Sequence, residues 1–386
     1  MNIVLTGGGS GGHIAPVLAV AHELKKQSPK SRIIYIGQRG DALLDVVKQH
    51  AAVDEVRTVW AGKLRRYSGE GWRQLLDVKS QALNVRDMFR TLHGLGQSFR
   101  ILKQLQPAVV FSRGGFVSVP VALAAKLRGI PYITHDADSV PSLANRIIAR
   151  WASLHAVALP AKLYPYPKEK IVEVGTPTGH NHRVVTPELQ RQYRKELGIA
   201  RYDEVITVTG GGNGARALNA AIAANARFLL AAFPSLVILH FSGRELEDET
   251  SAVYDELELG GARTRVRVHG FESDFYRYSG AADIVVARGG MSSIAEFALQ
   301  QKACLLVPSK QLGWNVKNSH VLAAQRAVME LSEEQAEQPE RLGRALAALL
   351  EDPAERERLA REIGKLAHPQ AASELAALVL RTGQER

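Results

Sequence analysis

The chain has 386 residues, which is enough for two domains of ordinary size. With 46% hydrophobic and 23% charged residues, its composition is that of a folded globular protein and excludes an intrinsically disordered chain. The single cysteine excludes a disulfide framework, and the net charge of +10 would suit a nucleic acid, a phosphorylated substrate or an anionic membrane surface.

The chain starts with an apolar run at residues 3–6 and lacks the charged start and apolar core of a signal peptide. No apolar stretch approaches the roughly 20 residues that a membrane-spanning helix needs. Cys304 lies in the apolar run A-C-L-L-V and is expected to be a small buried side chain in a reducing compartment. These features predict a cytoplasmic protein.

Short apolar runs rich in β-branched residues alternate with helical stretches along the whole chain. Strands are predicted in the first half at residues 3–6, 32–37, 108–112, 131–135, 154–158 and 171–175. Further strands are predicted at residues 205–209, 236–241, 266–271, 284–287, 304–308 and 328–331. Continuous apolar strands that alternate with helices are typical of doubly wound parallel sheets. The sequence therefore predicts an α/β protein with two six-stranded, Rossmann-like domains.

The domain boundary is predicted in residues 175–187, which contain Gly and Pro but no apolar period. This places an N-terminal domain at residues 1–178 and a C-terminal domain at residues 184–367. Near the C-terminus, Asp352-Pro353 predicts a helix start, and the break at His368-Pro369 predicts a separate last helix over residues 369–381.

An internal repeat supports this division. The sequence L-T-G-G-G-S-G-G at residues 5–12 resembles V-T-G-G-G-N-G-A at residues 208–215. Likewise, S-R-G-G at residues 112–115 resembles A-R-G-G at residues 287–290. Each of these loops follows a predicted strand and precedes a helical stretch.

The two longer glycine loops are suited to an anionic, oxygen-rich ligand, because backbone amides can approach it at a helix N-terminus. Residues 7–12 also fit the dinucleotide pattern G-x-G-x-x-G, which requires an acidic residue after the second strand. Gly37-Gln38-Arg39 follows that strand, and the second half has no such acid either. A dehydrogenase is therefore disfavoured. Glycines that serve only tight turns remain the alternative to an anion site.

His13 stands where the first loop becomes a helix, and a helix N-terminus keeps an imidazole neutral. We therefore predict that His13 is a general base, with Asp136 as the second candidate and a structural histidine as the alternative. In the second half, Glu296 lies in an otherwise apolar helical stretch after Arg288-Gly289-Gly290. A carboxylate near the carboxyl edge of a sheet can hold the two hydroxyls of a ribose; a capping or solvated glutamate is the alternative.

Four motifs in order carry a family resemblance: G-G-S-G-G-H at residues 8–13, G-G-F-V-S-V-P at 114–120, G-G-G-N-G-A-R at 210–216 and R-G-G-M-S-S-I-A-E at 288–296. Together they resemble the MurG family, which transfers N-acetylglucosamine from UDP to undecaprenyl-pyrophosphoryl-muramoyl-pentapeptide in peptidoglycan synthesis. The resemblance covers essentially the whole chain. It implies the GT-B glycosyltransferase fold, in which two Rossmann-like domains face a cleft and the last helix, residues 369–386 here, packs back on the first domain.

The resemblance also implies two sets of binding residues. The donor set in the C-terminal domain is Gly212, Asn213, Gly214, Phe271, Glu272, Met291, Ser292, Ser293, Glu296, Asn315 and Asn318. The acceptor set in the N-terminal domain is Ser10, Gly11, Gly12, Gly114, Gly115, Ser118, Asp138 and Asn145. Glu296 would hold the ribose, the backbone at Phe271 and Glu272 would contact uracil, and the two asparagines would touch the transferred sugar.

The chain departs from the family pattern at several positions. His135-Asp136-Ala137-Asp138 stands where the family usually has His-Glu-Gln-Asn, so two amides of the acceptor loop are lost. The arginine expected two residues after Pro177 is absent, and Arg183 is a possible substitute for this diphosphate contact. Gly212 replaces a serine, Phe116 a tyrosine and Asn315 a glutamine. These departures concern the acceptor loop, a diphosphate contact and a sugar contact, while the four motifs still imply the fold and a UDP-sugar donor.

No metal or cofactor is predicted. Asp136-x-Asp138 mimics the metal-binding pair of the other glycosyltransferase fold, but so short a pattern often matches by chance. His180 and His182 fall in the predicted linker and lack ligand partners at a clear spacing.

A basic segment predicts a membrane-facing surface. Residues 57–103 hold ten basic against three acidic residues. Lys63, Arg65, Arg66 and Arg73 alternate there with the aromatic residues Trp60, Tyr67 and Trp72. Such a pattern suits an anionic bilayer, and a solvated loop is the alternative. No nucleic-acid motif accompanies it, so nucleic acid is the least favoured partner.

The sequence thus predicts an inverting, metal-independent enzyme, peripheral on the inner face of the cell membrane. Its substrates would be UDP-N-acetylglucosamine and a polyprenyl-pyrophosphate-linked muramoyl-peptide. Two alternatives stay open. One is another GT-B enzyme, such as a different lipid glycosyltransferase or a UDP-sugar 2-epimerase. The other is a non-catalytic protein that binds sugar nucleotides.

Overall fold

The computed structural model describes residues 1–8, 11–41, 43–63, 78–179, 181–338 and 340–385. The chain divides into two compact units. Unit 1 comprises Met1–His180 and His368–Arg386, and unit 2 comprises Asn181–Ala367. Among the described residues, no helix is both long and apolar enough to cross a bilayer.

Unit 1 is built on a seven-stranded parallel sheet in the order β3-β2-β1-β4-β5-β6-β7. Its strands are β1 Asn2–Thr6, β2 Arg32–Gln38, β3 Glu55–Val59, β4 Val109–Ser112, β5 Tyr132–Asp136, β6 Leu154–Val157 and β7 Ile171–Glu173. The expectation of six strands was wrong because β3 was missed. Its sequence, E-V-R-T-V, alternates polar and apolar residues as an edge strand does, and it offers no continuous apolar run.

Helices cover both faces of this sheet. They are α1 Gly11–Gln27, α2 Leu44–Lys48, α3 Val78–Leu105, α4 Ser118–Leu127, α5 Leu143–Ile148 and the C-terminal helix α15 Ala371–Gln384. Successive residues of β1 point to opposite faces, so Ile3 and Leu5 enter one core cluster and Val4 another. Helix α15 supplies Leu375 and Val379 to the first of these clusters and packs against α1. The last helix therefore belongs to unit 1.

Unit 2 repeats this architecture with a six-stranded parallel sheet in the order β10-β9-β8-β11-β12-β13. Its strands are β8 Glu204–Thr209, β9 Leu236–Phe241, β10 Val266–His269, β11 Ile284–Ala287, β12 Ala303–Leu306 and β13 Met329–Glu330. The helices are α6 Pro187–Glu196, α7 Arg216–Ala232, α8 Glu247–Glu256, α9 Phe275–Ala281, α10 Met291–Gln300, α11 Gly313–Ala324, α12 Glu333–Ala336, α13 Arg341–Glu351 and α14 Pro353–Gly364.

Local signals in the sequence explain several details. The Asp352 side chain accepts a 3.0 Å hydrogen bond from the Glu355 amide and so caps α14, as predicted. Cys304 is buried in β12, also as predicted. Short 3₁₀ helices connect the longer elements at Ala149–Trp151, Ala161–Leu163, Lys168–Lys170 and Gly260–Arg265.

The strand order of each sheet fixes where a ligand can bind. In both units the chain reverses direction across the sheet after its third strand, so the switch points lie between β1 and β4 and between β8 and β11. Open α/β sheets bind ligands outside the carboxyl ends of the strands at this point. The four glycine loops of the repeat follow these four strands.

Candidate functional site

Unit 1: the glycine loops at the switch point

The loops after β1 and β4 meet at the carboxyl edge of the first sheet. Gly115 has φ +82°, and a Cβ there would lie 2.7 Å from the carbonyl oxygen of Gly8. The loops can therefore approach this closely only with glycine at position 115. The hydroxyl of Tyr35 on the neighbouring strand β2 donates a hydrogen bond to the carbonyl oxygen of Gly7 and so fixes the start of the first loop.

Several of the predicted acceptor residues come together here. The Ser118 hydroxyl donates to the Gly114 carbonyl oxygen over 2.7 Å. A Cβ on Gly114 would lie 3.4 Å from the amide of Asn145, which donates to the carbonyl oxygen of His135 over 3.0 Å. Gly11 and Gly12 open helix α1, Asp138 is half-buried after β5, and Ser10 lies outside the described residues.

His13 sits in the first turn of α1, where the sequence places the general base. Its Nδ1 atom is buried and has no hydrogen-bond partner in the described part of the chain. Burial, reinforced by the positive charge of Arg113, lowers the pKa of His13 to about 4. The imidazole is therefore neutral near pH 7 and able to accept a proton.

Arg113 and His135 form an unusually polar core next to His13. Arg113 is buried, and its Nε atom has no hydrogen-bond partner among the described residues. Burial lowers its pKa, while the charges of Asp138 and Asp136 oppose that shift. His135 is fully buried with its Nε2 atom 2.8 Å from the Gly175 carbonyl oxygen, and burial together with Arg113 lowers its pKa to about 3.

Asp136, the second candidate base, accepts hydrogen bonds from neighbouring residues. Its Oδ2 atom accepts a 2.7 Å hydrogen bond from the Tyr166 hydroxyl, and its Oδ1 atom accepts one of 3.2 Å from the Ser142 amide. Burial raises the pKa of Asp136, and these hydrogen bonds oppose that shift. The carboxylate thus anchors Tyr166, which stacks on His155 at a ring distance of 3.9 Å. Both carboxylate oxygens of Asp136 thus accept hydrogen bonds, whereas the Nδ1 atom of His13 has no such partner among the described residues.

Unit 2: a glycine loop, two asparagines and a carboxylate

The loop after β8 presents its tip to solvent at the carboxyl edge of the second sheet. Gly212 and Asn213 are exposed, and Gly214 has φ +73°. A Cβ at Gly214 would overlap the carbonyl oxygen of Ser242, so this loop needs glycine to pass the end of β9. The exposed tip leaves backbone amides available to an anionic group at the N-terminal end of α7.

The loop after β11 is fixed to its neighbours by hydrogen bonds. The Arg288 guanidinium donates to the Gly210 carbonyl oxygen over 2.5 Å, which joins the two glycine loops. The Asn318 amide donates to the Gly289 carbonyl oxygen over 2.9 Å. Asn315 is buried on the same helix, α11. The loop is thus positioned to start α10, in which Met291 is buried and Ser292 and Ser293 are half-buried.

Glu296 lies in the second turn of α10 with a half-buried side chain that is 25% exposed. Its Oε2 atom is 3.7 Å from Nε2 of His182, which is 13% exposed. Burial raises the pKa of Glu296, and the charge of His182 opposes that shift. The nearby Arg183, the predicted substitute for the missing arginine, has an exposed side chain.

Phe271 and Glu272 follow β10, the outermost strand on the β9 side of the sheet. Phe271 is exposed, and the Arg244 guanidinium lies 3.9 Å from the centroid of its ring. The Arg244 amide also donates to the Gly212 carbonyl oxygen over 3.4 Å. The predicted uracil contacts are therefore linked to the predicted diphosphate loop. Glu272 lies 3.6 Å from Nδ1 of His269.

Relatives and family

Comparison with known proteins shows the family of the chain. Residues 3–157 match the Glycosyltransferase family 28 N-terminal domain, and residues 205–375 match the Glycosyltransferase family 28 C-terminal domain. A protein from Caldicellulosiruptor saccharolyticus is 30% identical over 380 residues, which cover 96% of this chain and 95% of that protein. It is named UDP-N-acetylglucosamine--N-acetylmuramyl-(pentapeptide) pyrophosphoryl-undecaprenol N-acetylglucosamine transferase. The chain belongs to the MurG family.

Two further proteins support this assignment. A Bacillus cereus transferase with the same name and the number 2 is 32% identical over 310 residues, or 79% of this chain and 78% of that protein. The crystal structure of MurG from Acinetobacter baumannii has a TM-score of 0.73 at 23% identity and covers 98% of this chain and 99% of its own. The MurG fold, with two α/β domains of parallel strands, is therefore shared over the full length.

Three residues of this MurG-family chain were not assigned to a site from the sequence. Arg113 and Arg288 directly precede glycine pairs, and that repeated R-G-G signal could have identified both. His182 was dismissed because it has no ligand partner nearby in the sequence. Its contact with Glu296 depends on the tertiary fold, so no local spacing could have revealed it.

We expect Gly115→Ala to destabilise this MurG-family chain and to impair sugar transfer, because the new Cβ would force the loop away from Gly8. The positive φ alone should cost about 1–2 kcal/mol of unfolding free energy once a Cβ is present. Gly129→Ala is the matched control, since Gly129 has φ +64° but open space around its Cβ position. Urea denaturation should show the cost of the positive φ in both variants and a larger loss of stability in Gly115→Ala. A transfer assay should show loss of turnover only in Gly115→Ala. Equal loss of turnover in both variants would contradict the close-approach explanation.

Proposed function

We propose that this MurG-family chain transfers N-acetylglucosamine from UDP-N-acetylglucosamine to undecaprenyl-pyrophosphoryl-N-acetylmuramoyl-pentapeptide, with inversion at the anomeric carbon. Relatives that bear the name of this activity and span nearly the whole chain support the proposal. The observation that carries it is the half-buried carboxylate of Glu296 on α10, the helix that follows the Arg288–Gly210 contact between the two glycine loops. A nucleoside diphosphate needs such a combination of ribose acceptor and anion site.

In unit 2, each part of the donor has a proposed contact. Glu296 accepts hydrogen bonds from the ribose hydroxyls, and the backbone at Phe271 and Glu272 contacts uracil. The amides of Gly212, Asn213 and Gly214, together with the start of α10 at Met291, Ser292 and Ser293, face the diphosphate. The first amides of a helix have no partner within the helix, so they can meet negative charge. Asn315 contacts the sugar, while Asn318 holds the Gly289 carbonyl oxygen.

In unit 1, the glycine loops receive the acceptor pyrophosphate. Gly11, Gly12, Gly114 and Gly115 supply backbone at the switch point, and Ser10 extends the same loop. Ser118, Asn145 and Asp138 shape the second loop. The buried positive charge of Arg113 favours an anion at this position.

The proposed reaction is a single displacement. The acceptor hydroxyl oxygen attacks the anomeric carbon from the face opposite UDP, and its proton passes to His13. The bond between the anomeric carbon and the diphosphate oxygen breaks, and its electron pair leaves with UDP. Fixed backbone dipoles at the glycine loop and at the start of α10 stabilise the growing charge without having to reorganise.

We also propose that the enzyme works on the inner face of the cell membrane. Helix α3 has four apolar side chains on one face, at positions i, i+3, i+4 and i+7: Val85 (51% exposed), Met88 (51%), Phe89 (63%) and Leu92 (56%). Arg86 and Arg90 flank this apolar stripe and pair with the buried Asp87. An apolar stripe between basic residues fits an anionic bilayer surface.

The basic segment predicted from the sequence reaches this helix at its described end. The Gly62 amide donates to the Thr91 hydroxyl over 3.1 Å, which brings Lys63 to α3. Trp60 is half-buried, and the guanidinium groups of Arg39 and Arg90 lie 5.6 Å and 5.3 Å from the centroid of its ring. Arg65, Arg66, Tyr67, Trp72 and Arg73 lie outside the described residues.

The activity is tested with purified protein, UDP-sugars and lipid-pyrophosphate acceptors. We expect transfer from UDP-N-acetylglucosamine, and Glu296→Gln should weaken UDP binding by about 1.5–3 kcal/mol, the range for hydrogen bonds to a charged group. Calorimetry with UDP measures this loss. Turnover of UDP-N-acetylglucosamine without any acceptor would indicate an epimerase instead, and UDP-sugar binding without transfer to any acceptor would indicate a binding protein.

His13→Ala should reduce turnover about 10²–10⁴-fold while UDP affinity changes little, because a general base acts on the acceptor proton. With a pKa of about 4, His13 is neutral above that pH and protonated below it. The rate of the wild-type enzyme should therefore fall only as the pH drops towards 4. A fall centred near pH 6.5, or near-normal turnover of His13→Ala alongside an inactive but folded Asp136→Asn, would contradict the assignment.

The membrane surface is tested by sedimentation with vesicles that contain phosphatidylglycerol. Neutralising Lys63, Arg65, Arg66 and Arg73 should reduce the free energy of vesicle binding by up to about 4 kcal/mol, at about 1 kcal/mol for each charge. Added salt should weaken vesicle binding in a similar way. Phe89→Ser should also weaken binding, whereas Val253→Ser, an exposed helical position in unit 2, should not. The quadruple variant and Phe89→Ser should both keep their activity on a short-chain acceptor. Unchanged vesicle binding in both would refute this surface.

A further inference from the structure

His182 belongs to the segment that leads from unit 1 into α6, yet its side chain is packed into unit 2. Its ring meets the Tyr276 ring edge-on, at a centroid distance of 6.1 Å and an angle of 67°. Tyr276 meets Tyr193 of α6 in the same way, also at 6.1 Å. Two aromatic residues from α6 and α9 therefore hold the imidazole in place.

The imidazole is held against Glu296. The separation of 3.7 Å between Nε2 of His182 and Oε2 of Glu296 is too long for a good hydrogen bond but lies within ion-pair range. Glu296 is the only charged residue in α10, and the surrounding positions Ile294, Ala295, Phe297 and Ala298 are all apolar and buried. A carboxylate in such surroundings is costly to ionise unless a positive or proton-donating group lies nearby.

We propose that His182 is a positioning residue for the ribose-binding carboxylate: it keeps Glu296 ionised and directed so that both ribose hydroxyls can donate to it. This inference rests on the proposed function, because it takes Glu296 as the ribose contact. His182 would act through Glu296 and need not touch the nucleotide. His182 lies in the segment between the two units. In the same segment this chain lacks the arginine that the family pattern has two residues after Pro177.

The test compares two ligands that differ only at the ribose, UDP and 2′,3′-dideoxy-UDP. We expect His182→Ala to weaken UDP binding about 5- to 10-fold. This is the loss expected when the charge-assisted hydrogen bonds between Glu296 and the ribose are weakened. Binding of the dideoxy ligand should change less than twofold, since it lacks the hydroxyls that Glu296 holds. In a Glu296→Gln background, His182→Ala should add no further loss. Calorimetry measures all of these affinities.

A second histidine–glutamate pair in unit 2 supplies the matched control. His320 lies 2.8 Å from Glu330 at the surface, and His320→Ala should bind both ligands like the wild type. His182→Gln serves as a second variant, with circular dichroism as the check on folding. The inference is overturned if either folded His182 variant binds UDP normally, or if it loses both ligands equally, as a purely structural role would require. If the wild type binds no UDP at all, the proposed function itself fails.

Discussion

In both units, loops at the carboxyl edge of a parallel sheet approach one another so closely that a Cβ atom would collide with a neighbouring backbone. Gly115 passes the Gly8 carbonyl oxygen in unit 1, and Gly214 passes the Ser242 carbonyl oxygen in unit 2. Each approach brings loops from different strands to one place at or beside the switch point of the sheet. The helices that carry His13 and Glu296 begin directly after loops of this kind, because Gly8 lies before α1 and Gly289, at which a Cβ would overlap the Asn315 carbonyl oxygen, lies before α10.

The two units share a topology but place charges of opposite sign at their candidate sites. Unit 1 buries a cation, Arg113, beside the imidazoles of His13 and His135, and burial, reinforced by that charge, lowers the pKa values of both histidines. Unit 2 half-buries an anion, Glu296, beside His182. A neutral imidazole next to a buried cation suits an acceptor site that must receive a proton near a pyrophosphate. A carboxylate suits the proposed ribose contact, because it can accept hydrogen bonds from neutral hydroxyls.

Much of this organisation could be predicted from the sequence because it is encoded locally. Each glycine loop follows an apolar strand and precedes a helical stretch, so most strands, the loops and the helices after them were predictable. The edge strand β3 was missed because its alternating sequence E-V-R-T-V resembles a surface segment. The pairing of His182 with Glu296 could not be predicted, since it depends on how α6 and α9 fix the Tyr276 ring.

The changed loop at residues 135–138 shows how a family motif can diverge while its framework persists. Asp136 accepts hydrogen bonds from Tyr166 and the Ser142 amide, so the shortened carboxylate still has a complete structural role. Asn145 donates to the His135 carbonyl oxygen and lies against Gly114, so an amide from α5 supports the second glycine loop. Asp136 and Asn145 therefore still support this loop and its neighbour, although residues 137 and 138 differ from the family pattern.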